Sequence, residues 1–178
     1  AWDSLSGEQQ RVSARQMEAF AAQRAFFDDQ FGRIVADFKA RGEWDNTLVI
    51  FIDGDNGSSG EGGPLGSTLG LLNQPAETLE YKSANIERIG GPLYNGNYSA
   101  AWGWALNAPF PWFKQHASHL GGVRAGLVVS WPNRIGSGGA WRSQYGHVND
   151  IAPTIYEAVG IKPPATVAGV PQLPIDGT

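Results

Sequence analysis

The run TLVIFIDGDNGSSGEGG at residues 47–63 limits the possible folds more than any other part of the chain. Residues 48–52 are apolar without alternation. This pattern predicts a strand buried on both faces, as in a parallel sheet covered by helices. The strand ends abruptly at Asp55, Asn56 and Gly57. A carboxylate and an amide oxygen then stand side by side at the carboxyl end of a buried strand, the edge where open α/β sheets gather ligands and ions. Hard divalent cations take such oxygen donors. The same residue types also build an ordinary Asx turn, and alone they fit either reading. A calcium loop starting at Asp53 and Asp55 is excluded, because Gly57 and Pro64 fall where that loop needs a donor and its final Glu.

The rest of the chain narrows the partners. Its 178 residues suffice for one domain with a real core. A net charge of −4 and the absence of a basic stripe argue against nucleic acid. An anionic small substrate stays open, since one well-placed cation sets the local field. With no cysteine there is neither a disulfide nor a thiolate metal site. No apolar run reaches the ~20 residues of a membrane span, and the opening AWDSLSGEQQ lacks the layout of a signal peptide. Without an initiating Met, the chain reads as though cut from something longer.

Ser6 and Gln9 have capping-box spacing and predict a helix over residues 6–41, closed near Gly42. Met17, Phe20, Phe27, Phe31, Ile34, Val35 and Phe38 recur at helical spacing and predict its core-facing stripe. Residues 54–74 read as a loop, 76–89 as a second helix and 93–113 as an irregular aromatic stretch. A second buried strand is expected at 126–131, a third helix at 148–159 with Gly160 after it, and a Pro-rich extended tail at 161–178. This is an α/β order. Two strands are too few for a finished sheet, so the missing N-terminal part or another chain is expected to complete it.

Two further segments carry candidate chemistry. In FKQHASHLGGVRAGLVVSWP, Lys114, His116 and His119 precede a Gly-Gly turn, which suits a tetrahedral oxyanion; a solvated lysine and surface histidines are the plainer reading. In SQYGHVNDIAPTIYEAVGI, His147 precedes a helix and reads as a structural or capping residue.

Together and in this order, FFDDQFGRIVADFKARGEWDNTLVIFIDGDNG, KQHASHLGGVRAGLVVSWP and HVNDIAPTIYEAVGI resemble the sulfatase family of the alkaline-phosphatase-like superfamily, and bacterial arylsulfatases within it. The resemblance extends over residues 1–178. It implies part of a sulfatase-like α/β sheet with flanking helices, lacking its N-terminal portion. It also implies sulfuric ester hydrolysis on a small-molecule sulfate ester. Asp55 and Asn56 match the family's metal-binding pair, usually for Ca2+, with Mg2+ as the other option. Lys114 matches the sulfate-contacting lysine, His119 lies near the site, and Gly121-Gly122-Val123-Arg124 matches a structural Gly-Gly-x-Arg element. The family's nucleophile is a formylglycine made from Cys or Ser in a Cys/Ser-x-Pro-x-Arg motif. Ser130-Trp131-Pro132-Asn133-Arg134 fits by letter but lies on the family's late strand, so the formylglycine is expected in the missing N-terminal part and this chain alone is expected to be inactive. The upstream aspartate pair and the catalytic-histidine segment are also absent. Asp53 adds a carboxylate that aids a cation only if it points inward. A phosphodiester or phosphonate hydrolase of the same superfamily, and a non-catalytic metal-binding or interaction remnant, are the alternatives.

Overall fold

The computed structural model describes residues 1–69, 77–136 and 138–178. The chain forms two compact units, Ala1–Gly136 and Ser137–Thr178, each described by itself.

The first unit opens with α1, Gly7–Ala40. Ser6 caps it: its Oγ accepts from the Gln9 amide at 3.2 Å, and Gln9 Oε1 accepts from the Ser6 amide at 2.8 Å. Gly42 ends it with a left-handed φ of 71°. The expected core stripe is only partly realised. Val12, Ser13 and Gln16 are the buried positions, whereas Phe27 and Ile34 are 45% and 55% exposed. The amino half of α1 meets a substantial partner: Phe20 packs edge-on against Tyr98 at 4.9 Å, and the Trp102 indole donates to Ser13 Oγ at 2.9 Å. Farther along, Phe27 and Phe31 touch the ring of Phe51 from one side. Helical spacing defines a face, but the tertiary neighbours decide how much of it is covered.

Among the described residues of this unit, the strands are β1, Val49–Ile52, and β2, Leu127–Ser130. They pair antiparallel, from Val49 opposite Ser130 to Ile52 opposite Leu127. This corrects the parallel, doubly buried arrangement expected from the apolar run. Leu127, Val128 and Val129 are exposed, and Ile52 is 41% exposed. A run of β-branched residues prescribes extended backbone but carries no information on the direction of the neighbouring strand. The direction has a consequence for the site: β2 begins where β1 ends, so the segment leading into β2 arrives beside Asp55.

Among the described residues between the strands are three short α-helices. The first, α2, spans Leu79–Ala84, with the Thr78 hydroxyl accepting from the Tyr81 amide at 3.2 Å; a 3-10 turn, Ile86–Arg88, follows. The single helix expected at 76–89 is thus broken at Asn85, whose side-chain amide donates to the Tyr81 carbonyl. Ala76, and residues 70–74 of the loop expected at 54–74, lie outside the described residues. Inside the stretch expected to be irregular, residues 100–106 form α3, Ala100–Leu106. The last, α4, is Leu120–Val123.

Where α1, α2 and residues 65–69 meet, the interior is polar. Ser67, Thr68 and Lys82 are buried. The Glu77 carboxylate accepts from the Thr68 amide at 2.6 Å, the Thr68 hydroxyl at 2.8 Å and the Leu69 amide at 2.9 Å. Lys82 Nζ donates to the Gly66 carbonyl at 2.6 Å. Burial pulls the Lys82 pKa below its ordinary value, and the Glu77 charge opposes that shift. Such buried polar groups persist because their hydrogen bonds are made.

In the second unit a 3-10 turn, Val148–Asp150, leads into α5, Ile151–Val159, which Gly160 closes at φ 70°. The Pro-rich tail is not wholly extended: β3, Thr166–Val167, and β4, Val170–Pro171, form a small antiparallel hairpin. His147 is a capping residue. Its Nδ1 accepts from the Asn149 amide at 3.2 Å, and Asp150 Oδ2 accepts from the His147 amide at 2.7 Å. Those amide bonds, first from His147 and then from Thr178, hold the Asp150 carboxyl below the usual carboxylate range. The folded pKa therefore lies below the unfolded value of about 3.9. The stabilisation is complete above that value and is lost as pH falls through the folded pKa. Protection factors of the amides at residues 147–151, with intrinsic exchange divided out, are expected to fall below about pH 4, and Asp150→Asn to be low in protection across the range without that fall; an identical profile in the variant would assign the effect elsewhere.

Among the described residues, no helix is long and apolar enough to cross a membrane.

Candidate active site

The segment after β1 is fastened to its surroundings largely by backbone. The Gly57 amide donates to the Gly122 carbonyl at 2.9 Å. Gly57 is buried, and a Cβ there would lie 1.7 Å from the Gly121 carbonyl oxygen. Only glycine allows this approach of two chains. One residue on, the Lys114 amide donates to the Ser58 carbonyl at 3.0 Å. The Ser58 amide donates to Asn107 Oδ1 at 3.0 Å, and the Ser59 amide to the Tyr98 hydroxyl at 3.2 Å. Asn107 is the C-cap of α3. The Asp-Asn-Gly turn and the Lys114 segment, fifty-odd residues apart in sequence, therefore share one surface.

Asp55 and Asn56 are exposed on that surface, and the Asn56 amide donates to Asp55 Oδ1 at 2.5 Å. Asp55 Oδ2 and Asn56 Oδ1 are the oxygens such a pair offers to a hard cation. Their chemistry fits the expected divalent ion, but Ca2+ takes about 6–8 oxygens. Among the described residues there is no cluster of three or more His, Asp and Glu side chains that could hold a metal. Asp53 does not join the pair: it forms an ion pair with Arg24 of α1, which docks the helix on the strand end and offsets the extra charge.

Lys114 is half-buried, and its Nζ lies 3.4 Å from Glu61 Oε2. Gln115 Nε2 donates to Glu61 Oε1 at 3.2 Å, and the Ser59 hydroxyl donates to Glu61 Oε2 at 3.2 Å. Glu61 is a polar member of the site that sequence reasoning missed. Within DNGSSGEGG it looks like one more loop residue; only its contacts reveal the link to Lys114.

His116 and His119 belong to an aromatic cluster. The His116 ring lies over Trp112 at 4.2 Å and meets the edge of Phe113 at 5.2 Å. His119 caps α4, with Nδ1 2.9 Å from the Ser118 hydroxyl and its ring 5.7 Å from Trp112. The structure thus places His119 in the same segment as Lys114, turned toward Trp112 and Ser118. Trp112 and Gln115 hold left-handed φ values of 69° and 80°. Both are costly for non-glycine residues, and they bracket Phe113-Lys114. Arg124 stacks on the Phe110 ring at 4.7 Å, which anchors the Gly-Gly-x-Arg turn.

Ser130 stands elsewhere. It pairs with Val49 at the start of β1, the end opposite Asp55, and the turn behind it is tied down by the Asn133 amide bonding to the Asp45 carbonyl at 2.9 Å. The chain has no cysteine.

The sulfatase family profile matches residues 3–161. The chain belongs to the sulfatase family. It is 30% identical over 176 residues to an arylsulfatase of Klebsiella aerogenes, an alignment covering 99% of this chain and 36% of that protein. It is 33% identical over 166 residues to an uncharacterised sulfatase of Schizosaccharomyces pombe, covering 92% of this chain and 28% of that one. The chain therefore spans about a third of the length of these curated relatives. Membership gives the chain the α/β architecture of that family. Enzymes of this family generally use a metal ion and a formylglycine.

Proposed function

We propose that this chain supplies the metal-binding pair and the sulfate-contacting cation of an arylsulfatase-like sulfuric ester hydrolase. The observation that carries the reading is the backbone joint Gly57–Gly122, reinforced by Lys114–Ser58, which sets an exposed Asp-Asn pair and a lysine on one surface. Asp55 and Asn56 hold a divalent cation, Ca2+ before Mg2+, with the remaining ligands coming from sequence beyond this chain. A cation held by this pair would supply Lewis-acid polarisation. Lys114 turns its ammonium to the sulfuryl oxygens and neutralises their charge. His119, seated against Trp112, borders the substrate. The formylglycine is likewise placed outside this chain. The exposed Leu127, Val128 and Val129 of β2 support completion of the sheet by further strands of a longer protein or by a partner chain.

The test compares p-nitrophenyl sulfate with phosphodiester and phosphonate analogues on the full-length protein during a Ca2+ titration. The sulfate ester is expected to be preferred, and Asp55→Ala is expected to raise the Ca2+ needed for half-maximal activity about tenfold or more, the loss of one charged ligand. A preference for the phosphorus esters would move the site to that branch of the superfamily. Tight Ca2+ binding without hydrolysis would leave a metal-binding module.

A further inference from the structure

Lys114, Gln115 and Ser59 all converge on Glu61, whose carboxylate is mostly buried while the lysine stays partly open to solvent. The Ser59 hydroxyl both donates to Glu61 Oε2 and accepts from the Glu61 amide, each at 3.2 Å, so the carboxylate has a defined seat. That seat is itself held by the Ser59 amide bond to Tyr98 and by the fit of the Phe113 ring against Gly60, where a Cβ would lie 2.2 Å from a ring carbon. The contact to Lys114, at 3.4 Å, is longer than a tight charge-assisted hydrogen bond of about 2.8 Å. The ammonium is steered without being captured. It keeps donor directions for an anion, while Glu61 subtracts one unit of positive field from the place that anion would occupy.

We propose that Glu61 is a positioning residue for Lys114 and that its charge suits the site to a singly charged ester head in preference to a doubly charged one. The selectivity rests on the sulfatase reading given above; the positioning of Lys114 does not. A sulfate monoester carries one negative charge, whereas a phosphate monoester carries nearly two above pH 7. Next to a fixed carboxylate, the second charge is penalised: one extra unit charge at roughly 6 Å in a half-screened site corresponds to about tenfold in relative kcat/KM.

Two measurements test this on the full-length protein. The first is kcat/KM for p-nitrophenyl sulfate and p-nitrophenyl phosphate at pH 8 in the wild type, Glu61→Gln and Glu61→Asp. Glu61→Gln is expected to move the ratio about tenfold toward phosphate, with Glu61→Asp recovering most of the wild-type ratio because the charge returns one methylene shorter. Equal losses on both esters in both variants would mean that Glu61 only supports the loop, and would overturn the proposal. The second is acetic anhydride labelling of Lys114, read by peptide mass spectrometry against Lys39 and Lys162. Labelling of Lys114 is expected to rise severalfold in Glu61→Gln, and an unchanged rate would overturn the contact itself. If the wild type hydrolyses neither ester, the sulfatase reading and the selectivity fall together, and labelling alone decides whether Glu61 holds Lys114.

Discussion

Replacing Lys114 by alanine in the full-length protein is expected to lower turnover of an aryl sulfate ester by about 10²–10³-fold, the usual effect of removing a donor aimed at developing charge. The fold should survive. The bond that ties this segment to the metal loop runs from the Lys114 backbone amide to the Ser58 carbonyl, and alanine keeps it. The side chain is half-exposed and contributes a loose ion pair with Glu61, of the kind worth about 1 kcal/mol or less. Thermal unfolding should therefore move by only a few degrees at most. Lys114→Arg keeps the charge but replaces a compact ammonium with a planar fork, so partial activity is expected. Turnover within a factor of two of wild type in Lys114→Ala would remove the lysine from the mechanism. A collapse of the melting curve would show that its contribution is to folding.

The second large effect is expected at Gly57→Ala. A methyl group there would sit 1.7 Å from the Gly121 carbonyl oxygen and 3.2 Å from the Gly122 Cα. These neighbours are backbone atoms in a packed turn, and no rotamer change relieves the clash. Overpacking of this kind costs about 3 kcal/mol, or roughly 6–12 °C in Tm for a chain of this size. Either the two loops separate, which also breaks the Gly57–Gly122 hydrogen bond, or the whole unit loses stability. Gly32→Ala is the control: it lies inside α1 with nothing within 4 Å of the added methyl. It should be neutral or stabilising by up to about 1 kcal/mol. Differential scanning calorimetry of the two variants decides the matter. Equal melting temperatures would mean that the loop can shift without cost, and the shared surface under Asp55 and Lys114 would lose its rigid joint.

Features that depend on a few consecutive residues are legible in the amino-acid sequence alone. The Ser6–Gln9 capping box, Gly42 and Gly160 after their helices, and the capping role of His147 each rest on local backbone chemistry. The turn at Asp55-Asn56-Gly57 and the candidate lysine are also visible there, as residue types in suggestive places. Features that depend on distant neighbours are not. The aromatic residues around α3 conceal a helix, because their sequence pattern reflects packing against Ser13 and Trp112 as much as helical period. Phe27 and Ile34 share a helical stripe with buried residues yet stay exposed. Asp53 looks like a possible third ligand in the sequence, but Arg24, twenty-nine positions earlier in the chain, holds it in the fold.

The sequence by itself determined the extended run that ends in an oxygen-donor pair, the segment carrying Lys114 before a Gly-Gly turn, and the family they resemble. Only the tertiary structure decided that the two strands run antiparallel. Strand direction is settled by which backbone groups meet across the ladder, and side-chain alternation says nothing about it. That direction brings the start of β2 to the end of β1, lets Gly57 close on Gly121 and Gly122, and sets Glu61 beside Lys114. Asp55, Asn56 and Lys114 were candidates because of their chemistry; they share one surface because two glycine-containing turns approach closer than any side chain allows.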